Sequence, residues 1–207
     1  ENKEHVDNNF PADFICEGLD QTRGWFYTLT IIASGLFESP AFLNNITNGI
    51  VLTKDGKKMS KRDKNYTDPN EVIDKYGADA LRFALMNSAV VKADDLKFSE
   101  EGVKDQIKTF LLPLYNAYSF FITYANIDKY EPSATAFDDL ENPLDKWIIS
   151  TTQGLIKDVT EALDGYDIQK ASGILVSFID DLNNWYIRRS RRRFWRSEND
   201  NDKKMAY

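Results

Sequence analysis

Gly49-Ile50-Val51-Leu52-Thr53-Lys54-Asp55-Gly56-Lys57-Lys58-Met59-Ser60-Lys61-Arg62 is the stretch on which the reading of this chain turns. It holds a short apolar run, an Asp-Gly turn and then a cationic loop. Four lysines and one arginine lie between Lys54 and Arg62. Several ammonium groups so close together can meet several phosphate charges at once, and the glycine lets the backbone follow them. The same residues also suit a solvated hairpin tip, because Asp-Gly is a favoured hairpin turn and lysine is common on exposed edges. The residues on either side decide between these readings.

Upstream, Asp13-Phe14-Ile15-Cys16 is a short apolar run with β-forming residues, and Glu17-Gly18-Leu19-Asp20-Gln21 interrupts it with carboxylates. Thr22 to Phe37 is apolar around much of its circumference, as expected of a helix packed on a sheet. Ile46 to Thr53 supplies a second strand. Strand, polar loop, helix, strand is a βαβ unit of a parallel sheet. Ligands of such sheets lie beyond the carboxyl ends of the strands. Glu17–Gln21 and the Lys58 loop both follow strands, so they can line one site although roughly forty residues separate them.

Downstream, Asp68-Pro69-Asn70-Glu71 is a helix start, with Asp68 as cap, Pro69 in the first turn and Glu71 completing a capping-box-like pair. Gly77 breaks that helix and Ala78 begins another. Val90 to Phe98 is a mixed connection. From Ser99 the pattern is helical to about Tyr124, with a kink or joint at Pro113. Asn142-Pro143 starts a helix that Gly165 stops, and a further helix carries Ile168 to Tyr186 into the arginine run 188–196. The tail from Ser197 is expected to fray. The expected fold is therefore α/β followed by all-α, divided at 1–98 and 99–207.

Composition narrows the chemistry. A chain of 207 residues allows one large domain or two small ones. No apolar run approaches the roughly 20 residues of a membrane span, and Glu1-Asn2-Lys3-Glu4 has no signal-peptide character and reads as the middle of something longer. Cys16 is the only cysteine, which excludes an intrachain disulfide or cysteine metal cluster and fits a reducing, cytoplasmic compartment. His5 is the only histidine and lies in a polar leader, which disfavours a histidine-based triad or zinc site. The net charge of −7 argues against a protein that coats nucleic acid, but the basic residues cluster at 54–64 and 188–196.

Lys58-Met59-Ser60-Lys61-Arg62 resembles the Lys-Met-Ser-Lys-Ser signature of class I aminoacyl-tRNA synthetases, in the variant ending in arginine. Glu17-Gly18-Leu19-Asp20-Gln21-Thr22-Arg23-Gly24-Trp25-Phe26-Tyr27, Asn48 to Leu52 and Asp68 to Arg82 resemble the isoleucyl branch of that family. Asn184 to Arg189 and Arg191 to Trp195 are similar to the first helices of its anticodon-binding bundle. The resemblance covers nearly the whole chain. It implies the C-terminal half of a Rossmann-type catalytic domain, a stem-contact connector and the start of a helical bundle.

The resemblance also implies chemistry: isoleucine and ATP form isoleucyl-adenylate, and isoleucine then passes to tRNA(Ile). Lys58 and Lys61 would carry the catalytic positive charge, with Lys58, Ser60 and Lys61 at the nucleotide phosphates. Gly49, Ile50 and Val51 match the adenine-binding strand. Glu17, Gly18, Asp20 and Gln21 match the residues that hold the adenylate, with Glu17, Gln21 and Trp25 at the amino acid. Arg188, Arg192 and Arg193 are candidates for tRNA phosphates. ATP would bring Mg2+, no metal site is expected within these residues, and a monomer with no membrane association is expected. The expected further partner is the rest of the polypeptide, since the family's His-x-Gly-His motif and editing domain do not occur here; a piece carrying one wall of the site is expected to be inactive alone.

Each residue also has a plainer reading. Glu17 and Asp20 are acceptable as loop carboxylates, Gln21 as a helix-start residue and Trp25 as core. Some of the six arginines between 188 and 196 can pair with acidic neighbours. Three rival functions remain at this level: a synthetase for another amino acid such as valine, a helical RNA-binding module working through the arginine run, and a structural scaffold.

Overall fold

A computed structural model describes residues 2–60, 62–63, 65–132, 137–196 and 201–207. Helix α1 (Lys3–Asn9) leads into strand β1 (Ala12–Gly18), a 3-10 turn (Leu19–Arg23), helix α2 (Trp25–Phe37) and strand β2 (Phe42–Asn48). β1 and β2 are parallel, with Ala12 opposite Phe42 and Gly18 opposite Asn48. The βαβ unit expected from the sequence is present. Phe26 and Ala33 are the buried residues of α2, and Phe26 packs against Phe42 with ring centroids 5.9 Å apart. Trp25, Tyr27, Ile31, Ile32 and Leu36 remain exposed. The all-round apolar pattern of this helix is thus matched by contacts on one side only.

The second strand departs from expectation. It starts at Phe42 rather than Ile46, and it divides at Gly49. Strand β3 (Val51–Leu52) leaves β1 and pairs in parallel with β4 (Leu96–Lys97). The reason is local. Gly49 N–H donates to Val90 O at 2.8 Å, and Ile50 N–H donates to the Asp95 carboxylate at 3.1 Å. A Cβ on Gly49 would lie 1.9 Å from Asp94 O. Only glycine lets the strand press so closely on the 93–94 backbone. Gly49→Ala is expected to destabilise the chain by about 1–3 kcal/mol, the range for overpacking, which urea unfolding would measure. A loss below about 0.5 kcal/mol would show that residues 93–94 yield freely.

Helices α3 (Pro69–Tyr76), α4 (Ala78–Met86) and α5 (Glu100–Gln106) follow. Their starts are capped as the sequence indicated at Asp68, whose side chain accepts from Asn70 N, and at Ser99, which accepts from Gly102 N. The Asp68 cap is local, to Asn70. Gly77 takes φ 87°, a left-handed value that separates α3 from α4. Val72, Ala80, Leu81 and Val103 form one core, with Leu85, Phe98 and Ile107 against it. Each fully buried valine or leucine contributes about 1.5–3 kcal/mol. α5, which lies beyond residue 98, shares this core and physically joins the α/β part to the helices after it.

Helix α6 (Leu112–Asp128) is continuous with α5 through a π-helical segment, Ile107–Leu111, which ends just before Pro113. Pro113 lacks an amide hydrogen and crowds the preceding turn, and the wider turn relieves both problems. A second π segment, Asp181–Ile187, joins α8 (Ile168–Asp180) to α9 (Arg188–Trp195). Asn183, inside it, donates to Pro113 O at 3.2 Å, so the two irregular turns are tied together. α7 (Pro143–Asp164) begins at an Asn142 cap and pairs with α8. The turn between them touches the α/β part: Tyr166 lies against Phe14, and the Asp167 carboxylate is 3.2 Å from the Lys92 ammonium.

Of the tail expected to fray from Ser197, residues 197–200 lie outside the described residues, and the rest is corrected: it forms helix α10 (Asn201–Ala206). Lys203 is buried with its ammonium 2.6 Å from Asp128, Tyr186 donates to Ala206 O, and Tyr207 donates to Asp128. A polar sequence packs here because its charge is met. Burial pushes the Asp128 carboxyl up, but Lys203 and Tyr207 hold it below its ordinary value. A depressed carboxylate contributes stability above its unfolded pKa and loses it as pH falls through the folded value. Amide hydrogen exchange in 201–207 is therefore expected to accelerate in an acid titration below about pH 4, and Asp128→Asn is expected to remove that step. An unchanged acid profile in the variant would disprove the assignment.

Candidate functional site: the carboxyl ends of β1 and β2 and the Lys58 loop

The first part of the site is the turn after β1. Glu17 is half-buried opposite Thr47, Asp20 is exposed, and Gln21 is half-buried. Gln21 Oε1 accepts from Trp25 N at 2.9 Å, so it caps α2, and its Nε2 donates to Asp20 at 3.3 Å. A Cβ on Gly18 would lie 2.6 Å from the Asp20 carboxylate, and one on Gly24 would lie 2.7 Å from Gln21 Oε1. The two glycines thus make room for the two polar side chains that brace the turn. The helix-start reading of Gln21 is realised, and part of its hydrogen-bonding capacity is taken. Trp25 is 49% exposed, so its ring is available as an apolar wall rather than committed to core.

The second part is the Lys58 loop. Thr53 N donates to Lys57 O at 2.8 Å, and Leu52 faces Lys58 in an antiparallel bridge. Gly56, at φ 79°, makes the reversal between them. Lys58 is exposed, and among the described residues no carboxylate pairs with its ammonium. Ser60 N–H donates to Asn65 Oδ1 at 2.8 Å, and Asn65 Nδ2 donates to Lys58 O at 3.2 Å. The Ser60 amide is therefore committed to protein. Lys61, expected to be the second catalytic cation, lies outside the described residues.

Below the loop is a cavity of about 670 Å³, lined by Val51, Met59, Tyr66, Val72, Leu81 and Phe98 among others. Gly49 and Ile50 spend backbone groups on the protein: Ile50 O accepts from Leu96 N at 2.9 Å. Gly49 thus has a packing role whatever else it does. Parallel pairing brings Glu17–Gln21 and Asn48–Gly49 to one end of β1–β2. The Lys58 loop is connected to that end through β3. Among the described residues no hydrogen bond or ion pair joins Glu17 to Lys58.

Of the arginines, Arg188 and Arg192 are exposed. Arg189 stacks on the Trp185 ring, 3.6 Å from its centroid. Arg193 is different and must be withdrawn as a phosphate contact. Its side chain is 7% exposed, and both terminal nitrogens are 2.6 Å from the Asp145 carboxylate. Burial alone would lower the Arg193 pKa, but Asp145 and then Asp202 raise it above its ordinary value. Burial, with the Asp145 charge, pushes the Tyr186 phenol up as well, so it stays a donor to Asp145. Asn65 was missed from the sequence because one asparagine in a polar loop carries no periodic signal.

Comparison with known proteins agrees with the fold, an α/β part followed by helices. Residues 1–98 match the family of tRNA synthetases class I (I, L, M and V), and residues 145–207 match the anticodon-binding domain of tRNA ligase. An isoleucine–tRNA ligase of Treponema denticola is 64% identical over all of this chain, and one of Chlamydia muridarum is 54% identical over all of it. The chain spans about a fifth of the length of these curated relatives. A Mycobacterium tuberculosis methionyl-tRNA synthetase bound by methionyl-adenylate superposes with a TM-score of 0.74 at 20% identity, over 99% of this chain and 40% of that one. An Agrobacterium radiobacter LeuRS–tRNA–LeuAMS complex gives 0.70 at 20% identity, over 95% of this chain and 24% of that one. At such identity the two structures speak for the fold alone.

Proposed function

We propose that this chain is part of a class I tRNA synthetase and serves in an isoleucine–tRNA ligase, supplying the phosphate-facing loop and one wall of the adenylate site; the match of residues 1–98 to that family and the 64% identity to an isoleucine–tRNA ligase support the reading. The observation that carries this reading is the exposed Lys58 ammonium, without a carboxylate partner among the described residues, on a loop that continues from the carboxyl-end region of a parallel βαβ unit. In the proposed reaction the isoleucine carboxylate attacks the α-phosphorus of ATP and pyrophosphate leaves. The adenylate then passes isoleucine to the 3′ end of tRNA(Ile).

Negative charge grows on the departing phosphates, and Lys58 and Lys61 supply the cations that meet it. Ser60 adds a hydroxyl beside them. Gly49, Ile50 and Val51 line the adenine. Glu17, Gly18, Asp20 and Gln21 border the ribose and the isoleucine ammonium, with the carboxylates of Glu17 and Asp20 as acceptors, one Asp20 oxygen already accepting from Gln21. The half-exposed Trp25 ring borders the isoleucine side chain. Mg2+ would arrive with ATP; among the described residues no group of three or more His, Cys, Asp or Glu is placed to hold a metal. Residues 1–98 act as catalytic part and connector and 99–207 as the helical part that meets tRNA through Arg188 and Arg192, whose phosphate contacts would be sequence-independent. No helix among the described residues is long and apolar enough to cross a membrane. We place the protein in the cytoplasm as a monomer. The rest of the polypeptide completes the site, so these residues alone are expected to be inactive.

Selectivity tests the assignment. Trp25→Ala in the full-length protein is expected to lower selectivity for isoleucine over valine in tRNA charging about tenfold, since one methylene in an apolar pocket is worth only ~1–3 kcal/mol. Preference for an amino acid other than isoleucine in the unmodified protein would return weight to the valine reading.

A further inference from the structure

We propose that Asn65 is a positioning residue for the Lys58 loop, holding the Lys58–Ser60 backbone against β3 so that the Lys58 ammonium is presented in a fixed direction. The inference rests on the functional reading of Lys58 given above. β4, β3 and the Lys57–Lys58 segment form a row of three extended pieces, β4 beside β3 and Lys58 bridged to Leu52. Lys57 turns its carbonyl toward Thr53 at 2.8 Å. Carbonyls alternate in direction along an extended chain, so that of Lys58 turns outward, where a further strand would pair.

Asn65 stands in that place. Its carboxamide donates to Lys58 O at 3.2 Å and accepts from Ser60 N–H at 2.8 Å, the donor-acceptor pair that a neighbouring peptide would offer. With residues 58 and 60 fastened on this side, Met59 lies along the apolar cavity with Val51, Val72 and Phe98. The short segment is thus gripped by polar bonds through 58 and 60 and by apolar contact at 59. Nothing else among the described hydrogen bonds holds the Ser60 amide.

The test uses the full-length protein. Amino-acid-dependent ATP–pyrophosphate exchange and amide hydrogen exchange at Ser60 are measured for wild type, Asn65→Ala and Asn65→Asp. Asn65→Ala removes both bonds. Asn65→Asp keeps the acceptor for Ser60 but sets an oxygen against Lys58 O. Both variants are expected to lose about 10- to 100-fold in kcat, the scale for a misplaced catalytic group, with KM for isoleucine and the thermal midpoint unchanged. Ser60 protection should disappear in the alanine variant and persist in the aspartate variant. An alanine variant within twofold of wild-type kcat would overturn the role of Asn65 alone. So would a loss that tracks the thermal midpoint or the isoleucine KM. A wild-type protein without isoleucine-dependent exchange would overturn the functional reading beneath it, and Ser60 protection would then still report on the brace itself.

Discussion

Lys58→Ala and Lys61→Ala, each made in the full-length protein, are expected to lower kcat for isoleucine-dependent ATP–pyrophosphate exchange by about 10²–10³-fold. The argument is electrostatic. The departing pyrophosphate carries more negative charge in the transition state than in bound ATP, so a cation at its oxygens acts mainly on the rate. The KM for isoleucine is expected to stay within about twofold, because removing an interaction made only in the transition state lowers kcat without changing ground-state binding. Lys58 enters this prediction on geometry: it is exposed and has no carboxylate partner among the described residues. Lys61 enters on its place in the motif. Steady-state exchange kinetics decide it. A fall in isoleucine affinity with kcat unchanged would place these lysines in substrate capture instead.

The second large effect is on stability. Asp145→Ala is expected to destabilise the helical part by about 3–5 kcal/mol, because it leaves the Arg193 guanidinium buried without its bidentate partner and removes one of the two acceptors of Tyr186, the other being Ala206 O. For a chain of this size the thermal midpoint should fall by roughly 10 °C. Replacing the pair with apolar residues, Asp145→Leu with Arg193→Met, should recover most of the loss, since the cost lies in the stranded charge more than in the missing attraction. Thermal unfolding of the three variants measures both steps. If Arg193→Met alone left stability unchanged and weakened tRNA binding with a smaller salt slope, Arg193 would be a phosphate contact after all.

Some of this protein was legible in its sequence. Asp68, Ser99 and Asn142 cap helices because short polar side chains reach the first free amide groups, and Gly77 breaks a helix because it adopts a positive φ. These are local effects, and local sequence carries them. The parallel pairing of β1 and β2 was legible for a related reason: a strand followed by an apolar helix and another strand has few ways to close.

What was not legible depends on distant partners. The strand around Gly49 divides because Val90, Asp94 and Asp95 approach it, more than forty residues later. Arg193 looks like its neighbours in a basic run, and only Asp145, on another helix, makes it a buried ion pair. The polar tail folds back because Asp128 meets Lys203. At the site, the motif located Lys58, but periodicity said nothing of Asn65, whose two bonds depend on how the loop closes.

The central claim, that these residues serve isoleucine activation, is tested most directly by amino-acid-dependent ATP–pyrophosphate exchange in the full-length protein, with this chain measured in parallel. Exchange that depends on isoleucine in the full-length protein and is lost in the chain alone is the result predicted here. Exchange driven by another amino acid, by none, or by isoleucine in these residues alone would contradict it.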